Sequence, residues 1–173
     1  MKNDKKSIAE IVEELITPTA DELGYVIWDT EYVKEGSRMY LRITIDRDEG
    51  VDINDCEKFH RAIDPILDEA DPIEGSYVLE VSSPGIEREL KYAWHYEACE
   101  GELIDLHFYR PHRGAKTLTA RLTALLPDAL RVSYPNAKGA AEETEDIPLG
   151  ELAKVNLYYD FTNIKKTEEN GKR

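Results

Sequence analysis

The chain has 173 residues, of which 41% are hydrophobic and 34% charged. That composition belongs to folded proteins, excludes a disordered acidic tail, and leaves room for one medium domain or two small ones. The 36 acidic and 22 basic side chains give a formal net charge of -14, which excludes a backbone-wide attraction to nucleic acid. Any such contact needs a local basic patch or a partner protein.

The first half alternates helices and strands. Ile8, Ile11, Val12, Leu15, Ile16 and Leu23 recur at helical spacing, which predicts a first helix capped by Ser7 or Asp4 and kinked or stopped near Pro18. Tyr25 to Val33 predicts a first strand. In Arg38 to Ile45 the period is two, with Met39, Leu41, Ile43 and Ile45 on one face. A second helix begins near Asp52, with Cys56, Phe59, Ile63 and Leu67 as its apolar stripe and Pro65 as an interruption. A third strand, Tyr77 to Val81, runs into Ser82-Ser83-Pro84-Gly85. Two helices over one face of a small sheet predict a two-layer α/β domain of order α-β-β-α-β.

The second half reads differently. Short apolar runs at 103–108, 118–125, 130–134 and 155–161 are separated by turn residues, which predicts a small β-barrel. Leu149 to Ala153 is long enough for a single 3₁₀ turn. The expected fold is therefore α+β in two domains, over residues 1–89 and 90–161, with a polar, disordered tail at 162–173. Residues 1–90 carry 10 basic and 23 acidic side chains, and residues 91–173 carry 12 and 13. The asymmetry suggests a basic partner for the first half, or acids that merely keep a small domain soluble.

No motif of an enzyme stands out, so no catalytic, cofactor-binding or metal residue is assigned and the chain is expected to be no enzyme. Asp46, Asp48, Asp52, Asn54 and Glu57 imitate a calcium loop, but Gly50 is one place off and a strand stands where the loop needs a helix. Acids before a helix start are more often caps. Cys56 and Cys99 are the only cysteines and fit a reducing compartment. Met1 to Lys6 leads into an acid-studded helical pattern, so neither a signal peptide nor a membrane span is expected, and the expected location is cytoplasmic.

Two stretches carry candidate sites. Ser82, Ser83, Pro84, Gly85 and Arg88 surround a tight turn after a strand; they read as a hinge between domains or as an anion contact. Arg110, His112, Arg113 and Lys116 form a basic cluster in a hairpin loop beside Phe108 and Tyr109. Such a loop reads as an RNA or subunit contact, or as an ordinary solvated turn.

Taken together, Leu41 to Asp46, the helix start at Asp52 to Cys56, Asp71-Pro72-Ile73, and Tyr77 to Arg88 in this order and spacing resemble the bacterial ribosome maturation factor RimP family. The resemblance covers about Ile8 to Phe161. It also touches Gly101, Ile147-Pro148-Leu149, Ala153-Lys154 and Leu157, and departs at Glu89, where the family usually has proline. It implies an N-terminal α/β domain followed by a C-terminal SH3-like barrel, with no enzymatic activity and no cofactor. It further implies a role in maturation of the small (30S) ribosomal subunit, through ribosomal protein S12 and nearby 16S rRNA. Immature subunits are the expected partner, no membrane is involved, and nothing requires more than a monomer. The alternative reading is a generic RNA-binding or translation-associated adaptor.

Overall fold

The computed structural model describes residues 5–85, 88–135 and 142–158. The chain forms two compact units, Met1–Pro84 and Gly85–Arg173. The first contains α1 (Ile8–Leu23), β1 (Val26–Glu35), β2 (Arg38–Asp46), α2 (Ile53–Ala70) and β3 (Val78–Ser82), the expected α-β-β-α-β order. β1 and β2 form an antiparallel hairpin. The α2 crossover then returns β3 parallel to β2, with Leu79 opposite Leu41 and Val81 opposite Ile43. The pleat puts Leu41, Ile43 and Ile45 on one face, where Val12, Ile16 and Ala20 of α1 and Phe59, Ile63 and Leu67 of α2 pack against them. Full burial of an aliphatic or aromatic side chain contributes about 1.5–3 kcal/mol, so this face holds the unit together.

Local chemistry sets the helix starts. Ser7 caps α1, and Glu10 returns a bond to the Ser7 amide at 2.7 Å; Asp4 lies outside the described residues. Asp52 and Asp55 make the same reciprocal box at α2. Pro18 and Pro65 do not stop their helices. Each removes one backbone donor, but buried residues stand on both sides of it, Ile16 and Ala20 in α1 and Ile63 and Leu67 in α2. Burial of both flanks keeps the helix continuous.

Asp55 ties three elements together. Its carboxylate accepts the Tyr25 hydroxyl at 2.7 Å, the Arg47 guanidinium at 2.9 Å and the Asp52 amide at 3.0 Å. Arg47 also bonds the Gly50 carbonyl at 2.7 Å. The Asp52 amide and the Tyr25 hydroxyl, helped by Arg47, hold the Asp55 carboxyl below its ordinary value. The calcium-like spacing thus resolves into a helix cap. Among the described residues no three His, Cys, Asp or Glu side chains gather as a metal site.

The second unit corrects the expectation of an SH3-like barrel. It contains α3 (Ala93–Ala98), β4 (Leu103–His112), β5 (Ala115–Leu125), β6 (Ala129–Tyr134), β7 (Glu143–Pro148), a 3₁₀ turn at Leu149–Glu151, and β8 (Leu152–Leu157). The five strands form one antiparallel sheet in the order β7-β6-β5-β4-β8. β7 and β8 are its two ends, so the sheet is open rather than closed on itself. The outer edge of β8 is already taken. The Leu90 amide donates to the Val155 carbonyl at 2.8 Å and the Leu157 amide to the Arg88 carbonyl at 2.7 Å, with Glu89 opposite Asn156. Residues 88–90 therefore sit where a closing strand would have to pair.

The inner face of this sheet carries Ile104, Leu106, Ala120, Leu122, Leu130, Val132, Ile147 and Val155, all buried. α3 and β7 were not expected from the sequence. α3 is a short helix around a fully buried His95, whose Nδ1 accepts the Lys91 amide at 2.9 Å. The Tyr96 hydroxyl donates to the Leu90 carbonyl at 3.0 Å, and burial pushes its pKa up to about 12. The expected tail at 162–173 lies outside the described residues.

Two measurements check the core. Thr30 lies opposite Ile43, is 4% exposed, and its hydroxyl has no hydrogen-bond partner. A stranded buried hydroxyl is destabilising, and valine keeps the shape. Thr30→Val should stabilise the chain by about 1 kcal/mol in chemical denaturation; a loss of stability would show that the hydroxyl is in use. For Asp55, a depressed folded pKa means stability that is full above the unfolded value, about 3.9, and lost as pH falls towards the folded one. Asp55→Asn should lower the melting temperature at pH 7 and flatten its decline below pH ~4, read by thermal melts across pH.

Candidate nucleic-acid interface

The β4–β5 hairpin turns through Arg113 and Gly114, at φ +51° and +79°. Positive φ at both central residues is the mirror-image two-residue turn that suits the twist of paired strands. Glycine adopts it freely, but arginine does so at a cost of about 1–2 kcal/mol. Contacts made by the Arg113 side chain offset that strain. Its guanidinium donates to Glu143 at 2.8 and 3.2 Å and to Glu145 Oε2 at 3.1 Å. It also lies 4.4 Å from the centre of the Tyr134 ring.

Glu145 gathers the neighbours. It accepts the Tyr134 hydroxyl at 2.6 Å, and its other oxygen lies 2.8 Å from His112 Nε2. The His112 ring stacks on Phe108 with centroids 4.7 Å apart and planes 10° from parallel. Its Nδ1 lies 3.7 Å from Glu151. Burial pushes the Glu145 carboxyl up, but the bonds from Tyr134 and His112 and the charge of Arg113 outweigh it and leave the carboxyl below its ordinary value. Burial and the bond to Glu145 raise the Tyr134 hydroxyl.

The four basic residues singled out in the sequence are therefore not equivalent. His112 and Arg113 face carboxylates of β7 and the 3₁₀ turn. Arg110 and Lys116 are exposed and have no ion-pair partner among the described residues. Glu143, Glu145, Glu151 and Tyr134 were missed. The only available signal was the alternation of Glu143 and Glu145, which puts both on one face of a strand.

The other candidate stretch marks the division of the chain. Ser82 ends β3 opposite Thr44, and the boundary between the two units falls between Pro84 and Gly85. Gly85 has φ +74°, a backbone that residues with a Cβ rarely adopt. The Arg88 carbonyl serves the cover on β8. Residues 86 and 87 of this motif lie outside the described residues.

The fold and these clusters define an acidic, two-unit α+β protein whose N-terminal unit is an α-β-β-α-β layer. Residues 15–87 match the family model described as the RimP N-terminal domain. Over that stretch the chain is similar to the N-terminal domain of the RimP family. Among the described residues no helix is long and apolar enough to cross a membrane.

The strain at the turn can be separated from the ion pairs. Arg113→Ala keeps the backbone cost and loses the carboxylate contacts, whereas Arg113→Gly loses both. The alanine variant should be less stable than the glycine variant by about 1 kcal/mol in urea denaturation. Equal stabilities would mean that the turn is unstrained.

Proposed function

We propose that the chain is a maturation factor of the small (30S) ribosomal subunit and acts by binding ribosomal protein S12 and nearby 16S rRNA. The match to the RimP N-terminal domain over residues 15–87 carries this reading. Two physical features support it. The first half of the chain has 23 acidic and 10 basic side chains, a suitable counterpart for a basic ribosomal protein. The second unit offers Arg110 and Lys116 as exposed cations beside the aromatic Tyr109, a combination suited to RNA. The segment Ser82 to Gly85, with Arg88, serves as the linker between the two contacts. Two weak contacts on one chain raise each other's effective concentration, while screening by salt keeps the complex releasable. The factor works as a cytoplasmic monomer and prefers immature subunits.

Sedimentation of the purified chain with separated ribosomal subunits, at low and moderate salt, tests this. Comigration with small subunits, strongest for immature ones, is expected. Reversing Arg110 and Lys116 to glutamate should weaken it about tenfold or more at low salt, with the melting temperature unchanged. Tight binding to free RNA without preference for the subunit would favour the generic adaptor instead.

A further inference from the structure

A groove of about 480 Å³ opens beside the tip of the β4–β5 hairpin, lined by Tyr109, Arg110, Pro111 and His112 of β4 and by Gly150 and Glu151 of the 3₁₀ turn. Three of its features differ in chemistry. Tyr109 is a flat ring, 65% exposed. Arg110 is a cation without an ion-pair partner among the described residues. The Glu151 side chain is 54% exposed, so its carboxylate keeps acceptor capacity beyond the 3.7 Å contact with His112. His112 forms a fixed wall, held by the stack on Phe108 and by Glu145. The volume is within the range of small-ligand sites, and a tyrosine face accepts any base by stacking.

The carboxylate selects among bases. An ionised Glu only accepts hydrogen bonds. Guanine alone presents two adjacent donors, N1–H and the 2-amino group, that match the two oxygens of one carboxylate. Adenine and cytosine place an acceptor beside their amino group, and uracil flanks its single N–H with two acceptors; each would set an acceptor towards the carboxylate. The geometry points to a guanine site for single-stranded RNA in this groove. The base stacks on Tyr109, its Watson–Crick edge meets Glu151, and its phosphate meets Arg110. This deepens the proposed function, because it rests on the reading that the second unit touches RNA. It also narrows that contact: Arg113, committed to Glu143 and Glu145, stays out of it.

The test uses the full chain and labelled tetranucleotides in fluorescence anisotropy, with 5′-GMP as a competitor. UUGU should bind about tenfold tighter than UUUU, UUAU or UUCU. Tyr109→Ala should weaken UUGU about tenfold, and Tyr109→Phe should restore it. Glu151→Gln should bring UUGU to the level of UUUU and leave UUUU unchanged. Equal binding of the four RNAs by the native chain, or an indifferent Tyr109→Ala variant, would overturn the site. Competition by 5′-GMP as strong as that by unlabelled UUGU would overturn its assignment to RNA in favour of a free nucleotide. Subunit comigration is measured in parallel. If it persists while the tetranucleotides show no preference, the groove proposal falls alone; if the native chain does not comigrate, the assembly reading falls.

Discussion

Much of the second unit depends on one carboxylate. Glu145 holds His112, Arg113 and Tyr134 at once, which is feasible because a carboxylate offers about four acceptor positions. Those three donors come from the tip of one hairpin and the end of another strand. The backbone ladder leaves the sheet open, yet these side-chain bonds link the hairpin tip of β4 to β7. They hold a strained arginine in place and set the ring that walls the groove. Without Glu145, His112 would keep its stack on Phe108 but lose the partner that fixes its far edge.

Asp55 performs the corresponding task in the first unit, where it joins the starts of β1 and α2 to the end of β2. The two cases show how an acidic protein divides its carboxylates. A few are half-buried, accept several donors and fix geometry. Others stand on exposed helix positions, such as Glu14, Asp21 and Glu22 on α1 and Asp64, Asp68 and Glu69 on α2. Acids near a helix C-terminus oppose the helix dipole, so the last turns of α1 and α2 gain nothing from them in stability. These exposed acids are available to the basic partner proposed above.

The first unit was legible because its signals are local and periodic. The alternation from Arg38 to Ile45, the stripe from Cys56 to Leu67 and the capping residues Ser7 and Asp52 each fix structure within a few residues. The prolines misled, since local propensity at Pro18 and Pro65 gave way to burial on either side. The second unit was harder to read. β7 buries only Ile147 among its six residues, so a strand of Glu, Thr and Asp carried no hydrophobic run to notice. Short apolar strands suggest closure, but closure depends on which edge stays unpaired, and no periodicity reports that residues 88–90 cover β8. The cluster around Glu145 joins residues about thirty positions apart, a distance over which sequence spacing carries no geometric information. Hence the basic character of the β4–β5 loop could be read, but not which of its cations were already committed.

The cover on β8 has a consequence for where the chain can be cut. Arg88, Glu89 and Leu90 belong by position to the joint between the units, yet their backbone completes the hydrogen bonding of the second unit's sheet. A fragment beginning at Lys91 would expose Val155 and Leu157 along an unprotected strand edge, a template for pairing with another copy. A fragment beginning at Gly85 would carry its own cover. A protease nick between Leu90 and Tyr92 would therefore threaten solubility more than connectivity, because the three residues released from the second unit's sequence are the ones that keep its sheet from recruiting its neighbours.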